Sequence, residues 1–340
     1  MVTIYDIARA TGYSAPTVSR ALTGTGKLTE ETRKKIIAAA NEMGYEPNSI
    51  ARSLSTKRTN LIGIIYDDVQ MSRGFTHPLF SGVLNTFRET VEKQGYDIIF
   101  LSRHFKMSYL AHARYRAVEG VAIINPETGQ YDNYEDFAAS DIPCVSTSAI
   151  IPGICSVLSK NEEAGYTAAK YLVAMGHKKI AYLSGPYDSY STSALERYKG
   201  FSRGLEECGQ KIDESYFEKC DTWADTSGRA GFARLYERHS DITAVFSSSD
   251  LLARGIIQYA NENNISLPDD LSVIGFDDDS ASSFITPSLT TFRQKSADIA
   301  KMASELLINA INGKPIKEDL VRIPADFIVR NSVKRLRNLS

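Results

Sequence analysis

Apolar residues in the first 45 positions recur at helical spacing in three short bursts, each opened by a hydroxyl residue and closed by glycine. Ile4, Ile7 and Ala8 follow Thr3, and Asp6 stands three residues after that threonine, which together predict a capped first helix ending at Gly12. Ser14 predicts the N-cap of a second helix with Pro16 in its first turn, where a missing amide donor costs little. Thr29 and Thr32 open a third, with Ile36, Ala40 and Met43 as its buried stripe and Gly44 as its stop. From position 60 the rhythm changes. Short β-branched runs at 61–66, 97–101, 120–124, 143–146, 179–184, 244–247 and 272–276 alternate with amphipathic stretches. Such alternation predicts parallel sheets covered by helices on both faces. About 280 residues is too many for one compact lobe and suits two α/β lobes. The cleft at the carboxyl ends of their strands is then the default pocket.

Two short helices joined by a glycine turn make a helix-turn-helix. In the second helix Val18, Ala21 and Leu22 point to a small core, which leaves Ala15, Pro16, Thr17, Ser19 and Arg20 on or near the outer face. The N-terminal part of such a helix enters the DNA major groove, and a guanidinium there can pair bidentately with guanine O6 and N7. Arg20 is therefore the expected base reader. Ala15 and Pro16 offer apolar contact, while Thr17 and Ser19 are short donors suited to phosphate. Charge agrees: residues 1 to 59 hold nine Lys or Arg against five acids, a surplus of four, while the whole chain is −2 and the remainder is therefore −6. A basic head on an acidic body confines phosphate affinity to the head.

After Pro47, the stretch 48–55 has a cap at Asn48 and apolar Ile50, Ala51 and Leu54. It falls short of the roughly 12 to 15 residues an isolated helix needs in water. It is expected to fold only when packed, two copies lying together in a minor groove with Leu54 wedged between base steps and Arg52 near phosphate.

The N-terminus passes directly into a polar helix without a basic and apolar leader, and no run of about 18 apolar residues is present to span a membrane. A cytoplasmic protein is expected. Cys144, Cys155, Cys208 and Cys220 form no C-x-x-C pair and no zinc spacing, which suggests reduced, buried thiols and no metal. An enzyme of the doubly wound class fares poorly. Gly24-Thr25-Gly26-Lys27 lacks both the glycine of a phosphate loop, replaced by Ala21, and the Ser or Thr after the lysine, replaced by Leu28. No G-x-S-x-G elbow or H-E-x-x-H pair occurs either, so neither catalytic residues nor a cofactor are expected. A DNA-binding architectural protein whose body only dimerises is the other alternative.

The ordered run Thr17-Val18-Ser19-Arg20-Ala21-Leu22, Thr23-Gly24, Glu30-Glu31-Thr32-Arg33 and Gly44-Tyr45 through Pro47-Asn48, Ala51-Arg52-Ser53-Leu54 resembles the LacI/GalR family of bacterial transcription regulators, a likeness that continues to the C-terminus. The resemblance implies base contacts from positions 15, 16 and 20, a hinge helix carrying Leu54, and a core like that of periplasmic sugar-binding proteins. It further implies effector contacts from Ser191, Ser193 and Arg197, from Asp277 in the run Val273-Ile274-Gly275-Phe276-Asp277-Asp278, and from Trp223, the chain's single tryptophan. Arginine can fork onto vicinal hydroxyls or a carboxylate, and an aromatic face can grip a pyranose. Ser249 stands where many relatives have asparagine, so a bidentate amide becomes one hydroxyl. The chain also departs from the family's short Asn-Pro-Phe-Phe loop with the longer stretch 67–80, in which His77 replaces the asparagine. Phe75, His77, Arg103 and Asn125 are expected to line the N-terminal side of the cleft, although a histidine there is equally suited to capping a helix.

The expected organisation is an all-α helix-turn-helix head at 1–47, a hinge at 48–59 and an α/β core at 60–340 of two doubly wound parallel-sheet lobes. The N-lobe takes about 60–159 and 292–320, the C-lobe 160–291 and 321–340. The expected function is that of an allosteric repressor. It acts as a homodimer without a leucine heptad tail and binds double-stranded operator DNA, with a small molecule between its lobes, a sugar or sugar derivative, setting operator affinity.

Overall fold

The computed structural model describes residues 2–46, 53, 58–67, 74–102, 107–126, 132–211 and 213–336. The chain divides into two compact units, 1–59 and 60–340.

In the first unit α1 (Ile4–Thr11), α2 (Ala15–Thr23) and α3 (Glu30–Glu42) enclose a five-residue centre of Ile7, Val18, Ala21, Ile36 and Ala40. Local chemistry sets each end. Thr3 and Asp6 form a reciprocal capping box, the Thr3 amide reaching Asp6 at 2.9 Å. The Ser14 and Thr29 hydroxyls accept from the amides of Thr17 and Thr32. Gly12 adopts φ 76° at the end of α1, a left-handed conformation that suits a residue without Cβ, and its amide closes onto Ala8.

In the second unit the first sheet is six-stranded and parallel. It contains β1 (Leu61–Tyr66), β2 (Asp97–Phe100), β3 (Gly120–Asn125), β4 (Cys144–Ser146), β5 (Cys155–Ser159) and, late in the chain, β11 (Leu320–Ile323), in the order β11-β5-β4-β3-β1-β2. Its helices are α4 (Pro78–Lys93), α5 (Tyr109–Tyr115), the short α6 (Asp132–Glu135) and α11 (Ser296–Ile311). Side chains alternate between two cores, as a sheet buried on both faces requires. Ile62, Ile64, Ala122 and Ile124 join Phe87 and Leu307 on one face, and Ile65, Val121 and Ile123 join Tyr109 and Tyr134 on the other.

The second sheet has the order β7-β6-β8-β9, again parallel, from β6 (Ile180–Ser184), β7 (Phe217–Lys219), β8 (Ala244–Ser247) and β9 (Ser272–Ile274). Around it pack α7 (Asn161–Ala174), α8 (Ser193–Glu207), α9 (Asp225–Arg238) and α10 (Asp250–Glu262). Helices α7 and α8 meet backbone to backbone. A Cβ on Gly165 would lie 1.9 Å from the Arg197 carbonyl, and one on Gly200 1.9 Å from that of Glu162. A small antiparallel pair, β10 (Thr291–Arg293) with β12 (Asp326–Ile328), adjoins this lobe, bridging to Ile274 and Asp277.

The chain passes between lobes near Lys160, near Gln294 and between Ile323 and Asp326. The lobe limits therefore differ from those expected. Residues 321–323 belong to the first lobe, because β11 completes the edge of the first sheet beside β5 (Val321 opposite Val157), and Thr291–Arg293 stays with the second. The periodicity missed β5, β7, β10, β11 and β12, four of which are only three or four residues long. Cys144, Cys155 and Cys220 are buried, and burial pushes the Cys155 thiol up to about 11 and that of Cys220 to about 12. Cys208 departs from the expected burial and is only half-buried. No helix among the described residues is long and apolar enough to cross a membrane.

Candidate functional site

The outer face of α2 carries the expected DNA-reading set. Val18 and Ala21 are buried beneath it, Ala15, Thr17 and Ser19 are half-buried, and Pro16 and Arg20 are exposed. Thr17 and Ser14 share a hydroxyl contact of 2.8 Å, which fixes the helix start. The stem of Arg20 is supported by the following turn. Gly26, at φ 77°, lies so close that a Cβ there would stand 3.1 Å from the arginine Cδ. Spacing could not reveal that support, which arises from the tertiary turn. Asn48, Arg52 and Leu54 lie outside the described residues.

In the core, strand ends of the second lobe and the start of α8 assemble a buried polar cluster. Arg197, on the first turns of α8, is 4% exposed. Its Nε donates to Asn161 Oδ1 at 2.9 Å, its Nη1 donates to the Ser248 carbonyl, and its guanidinium lies 3.5 Å from the Phe276 ring centroid. Burial holds this guanidinium below its ordinary range, while the nearby Asp277, Tyr182, Glu196 and Asp250 favour its charge. Asp277 follows β9 with φ 128°, and its Oδ1 accepts from Gln294 Nε2 at 2.7 Å. Burial raises the Asp277 carboxyl well above the usual carboxylate range, partly offset by Arg197 and reinforced by Asp250. Asp250 is raised by burial too, although it accepts from Ser282 and Thr291 hydroxyls and the Asp279 amide. Arg197 thus lies against Phe276, the residue before Asp277, while each of the two charged groups is held by other neighbours.

The remaining expected contacts are placed unevenly. Trp223 is half-buried and packs across Gly185, just beyond β6, where a Cβ would meet the indole at 2.5 Å. Ser191 and Ser193 are half-buried, and the Ser191 amide is bound by Asp188 at 2.7 Å. Ser249 is 3% exposed and caps α10 by accepting from the Leu252 amide, so its oxygen is already used where an asparagine amide would extend further.

In the first lobe, Asn125 ends β3, and its carbonyl accepts from the Asp67 amide at 2.6 Å. Phe75 is 59% exposed and sits between Tyr66 and Phe100, ring centroids 5.3 and 5.1 Å away. His77 is buried and caps α4, its Nδ1 accepting from the amides of Leu79 and Phe80; of its two expected uses the structure displays the cap. Arg103 lies outside the described residues.

Several residues here escaped the sequence reading. Asp67, just past β1, accepts from the hydroxyls of both Tyr109 and Tyr134. Tyr190 crosses between the lobes, its hydroxyl on Glu135 and its carbonyl accepting from the Ile150 amide at 2.9 Å. Their partners stand tens of residues away, beyond any local pattern. A cavity of about 230 Å³ between α8 and the β6–β7 edge, lined by Lys178, Tyr198, Phe201, Lys211 and Phe217, includes none of the expected contacts.

Comparison with known proteins agrees with this geometry. Residues 3–48 match bacterial regulatory proteins of the lacI family, and residues 169–333 match a periplasmic binding protein-like domain. The chain is 31% identical to the HTH-type transcriptional regulator DegA of Bacillus subtilis over 98% of both chains. It is also 31% identical to catabolite control protein A of Priestia megaterium, over 98% of this chain and 99% of that one. Among solved structures, the lac repressor dimer bound to operator and the anti-inducer ONPF superposes with a TM-score of 0.81 at 24% identity, covering 98% of this chain and 99% of that one. These relatives are transcriptional regulators rather than enzymes. With a capped helix-turn-helix, a two-lobed parallel-sheet core and 31% identity to a relative over nearly its whole length, the chain belongs to the LacI family of DNA-binding transcriptional regulators.

Proposed function

We propose that this regulator is a repressor whose operator affinity is set by a sugar or sugar derivative bound between the lobes of its core, and that it acts as a homodimer. The observation that carries this reading is Arg197, buried on α8 with its guanidinium against Phe276, next to Asp277 beyond the end of β9. A fork of donors beside a carboxylate acceptor suits vicinal hydroxyls, which both donate and accept. The half-buried face of Trp223 would provide an apolar floor, as aromatic rings do for pyranoses. Phe75 with Phe100 would provide the same on the first lobe. The names of neighbouring structures point the same way, among them a CelR–cellobiose complex and a LacI family regulator from Enterococcus faecium with bound ribose.

In the head, Arg20 reads a base, Ala15 and Pro16 make apolar contact, and Thr17 and Ser19 approach phosphate. Asn48, Arg52 and Leu54 are assigned, from sequence alone, to a hinge that packs in the minor groove. The dimer places two heads on a pseudo-palindrome, as two-fold symmetric helix-turn-helix proteins do. A thermal-shift screen against monosaccharides, disaccharides and their phosphates tests the effector class. A shift with at least one compound, lost in Arg197→Ala and in Asp277→Asn, is expected. Shifts that survive in both folded variants would remove these residues from the site.

A further inference from the structure

We propose that Glu196 and Arg322 form an inter-lobe lock, and that a continuous hydrogen-bonded circuit ties this lock to Arg197 at one end and Asp277 at the other. The inference rests on the effector reading of those two end residues. Glu196 lies on α8 in the second lobe, whereas Arg322 lies on β11 at the edge of the first sheet. The guanidinium of Arg322 forks onto the carboxylate, Nη1 to Oε2 at 2.8 Å and Nη2 to Oε1 at 2.6 Å, and Nη1 also donates to the Ser159 carbonyl at 2.9 Å. A bidentate pair fixes orientation as well as distance. Arg322 together with the Thr192 hydroxyl and the Asn161 amide holds the Glu196 carboxyl below its ordinary range despite its burial.

All three crossings meet in this circuit. Asn161, just after the first, accepts from Arg197 Nε and donates to Glu196 Oε2 at 3.0 Å. Gln294, in the second, accepts from the Ser159 hydroxyl and donates to Asp277 at 2.7 Å. Arg322 stands just before the third, and the Lys160 amide binds the Ile323 carbonyl at 2.8 Å, which joins the first crossing to the third. Lys295 beside Asp326 at 2.8 Å closes the second to the third. The path therefore runs Arg197, Asn161, Glu196, Arg322, Ser159, Gln294, Asp277. Rotating one lobe against the other must lengthen the Glu196–Arg322 fork or carry α8 with it. Glu196 is buried and Arg322 half-buried, so separating the fork without a replacement partner leaves the Glu196 carboxylate poorly compensated, which favours the locked arrangement over intermediate ones. Glu196, Arg322 and Gln294 are positioning residues in this scheme, and Arg197 and Asp277 are its ligand-facing ends. Two discrete lobe arrangements biased at a distance are what coupling between sites requires.

The test reads lobe separation and needs no effector. In the full-length Cys208→Ser chain, spin labels at Gln94→Cys and Glu237→Cys, both exposed and on different lobes, report the distance distribution by pulsed electron spin resonance. With labelled chain diluted in excess unlabelled chain, so that each dimer holds at most one labelled protomer, the parent is expected to show one narrow distance. Arg322→Met and Glu196→Gln are expected to broaden it by about twofold or add a second peak, as release of a two-state equilibrium does. Arg322→Lys, which keeps the charge and loses the fork, is expected to fall between. Leu320→Ala, on the same strand, leaves the distribution unchanged. Arg197→Gln and Asp277→Asn should shift it in the same sense as Arg322→Met. A parent-like distribution in cooperatively melting Arg322→Met and Glu196→Gln overturns the lock. Should Arg322→Met not fold, the volume-conserving Glu196→Gln decides. Broadening by the lock variants without any response to the two end variants overturns the circuit. Failure of the sugar screen with an intact lock response would instead count against the effector reading alone.

Discussion

At the residue scale, chemistry and burial decide which side chains are available for function. Arg20 is exposed with its stem braced by Gly26, so its guanidinium is presented rather than spent in the fold. Arg20→Ala is expected to cost about 1–3 kcal/mol of discrimination at one base position. Affinity selection from a random duplex library should show that position relaxed while the others keep their preference; uniform weakening would assign Arg20 to phosphate. His177 gives a second prediction. Its ring is buried, bonded to Thr243 Oγ1 and to the Lys334 carbonyl at 3.0 Å each, and burial depresses its pKa below 6.5. The unfolded chain therefore takes up a proton at higher pH than the folded one. The stability this site contributes is complete above pH 6.5 and declines as pH falls through 6.5 toward the depressed value, then levels. Denaturant midpoints of the parent and of His177→Gln, measured between pH 5 and 8, should converge as pH falls. Arg20 was legible from its place in a short helix. The brace by Gly26 and the two partners of His177 were not, because they depend on chain segments that meet only on folding.

At the element scale, caps and close approaches carry the specificity of the fold. The Thr3–Asp6 capping box was readable from sequence because both partners lie within four residues. Thr3→Ala is expected to lower the stability of the head by about 1 kcal/mol, as loss of an N-cap does. A calorimetric scan in which the head melts unchanged would contradict that. The contact between helices α7 and α8 was not legible. Gly165 and Gly200 admit a backbone-to-backbone approach with no room for a methyl group. Gly200→Ala should therefore destabilise the second lobe by about 1–3 kcal/mol or more through overpacking, lowering its melting temperature. The short strands β10, β11 and β12 were unreadable for another reason. Three or four residues are too few for a period to show, and each is a strand only against a partner from elsewhere in the chain, β11 against β5 and β10 and β12 against one another.

At the scale of the whole molecule, the proposed function requires linkage between a site in the core and a surface on the head. If one ligand changes operator affinity, operator must change the affinity of that ligand by the same factor, typically about 5–150-fold. Titration of a compound found in the carbohydrate screen, with and without the selected duplex at saturation, should return equal factors in both directions. Independence of the two equilibria would leave the core a sensor without output.

Sequence by itself determined the helix-turn-helix, the basic head on an acidic body and the alternation of strand and helix that implies two parallel-sheet lobes. These rest on local spacing, capping and charge, which act over a few residues and survive in the order of the chain. Only the tertiary structure decided that His77 caps α4, that Ser249 caps α10, and that Arg197 and Asp277 are joined through Asn161, Glu196, Arg322, Ser159 and Gln294. Those bonds link residues up to 163 positions apart. Burial gives them their force, because a polar group removed from water must find its partner wherever the fold brings one.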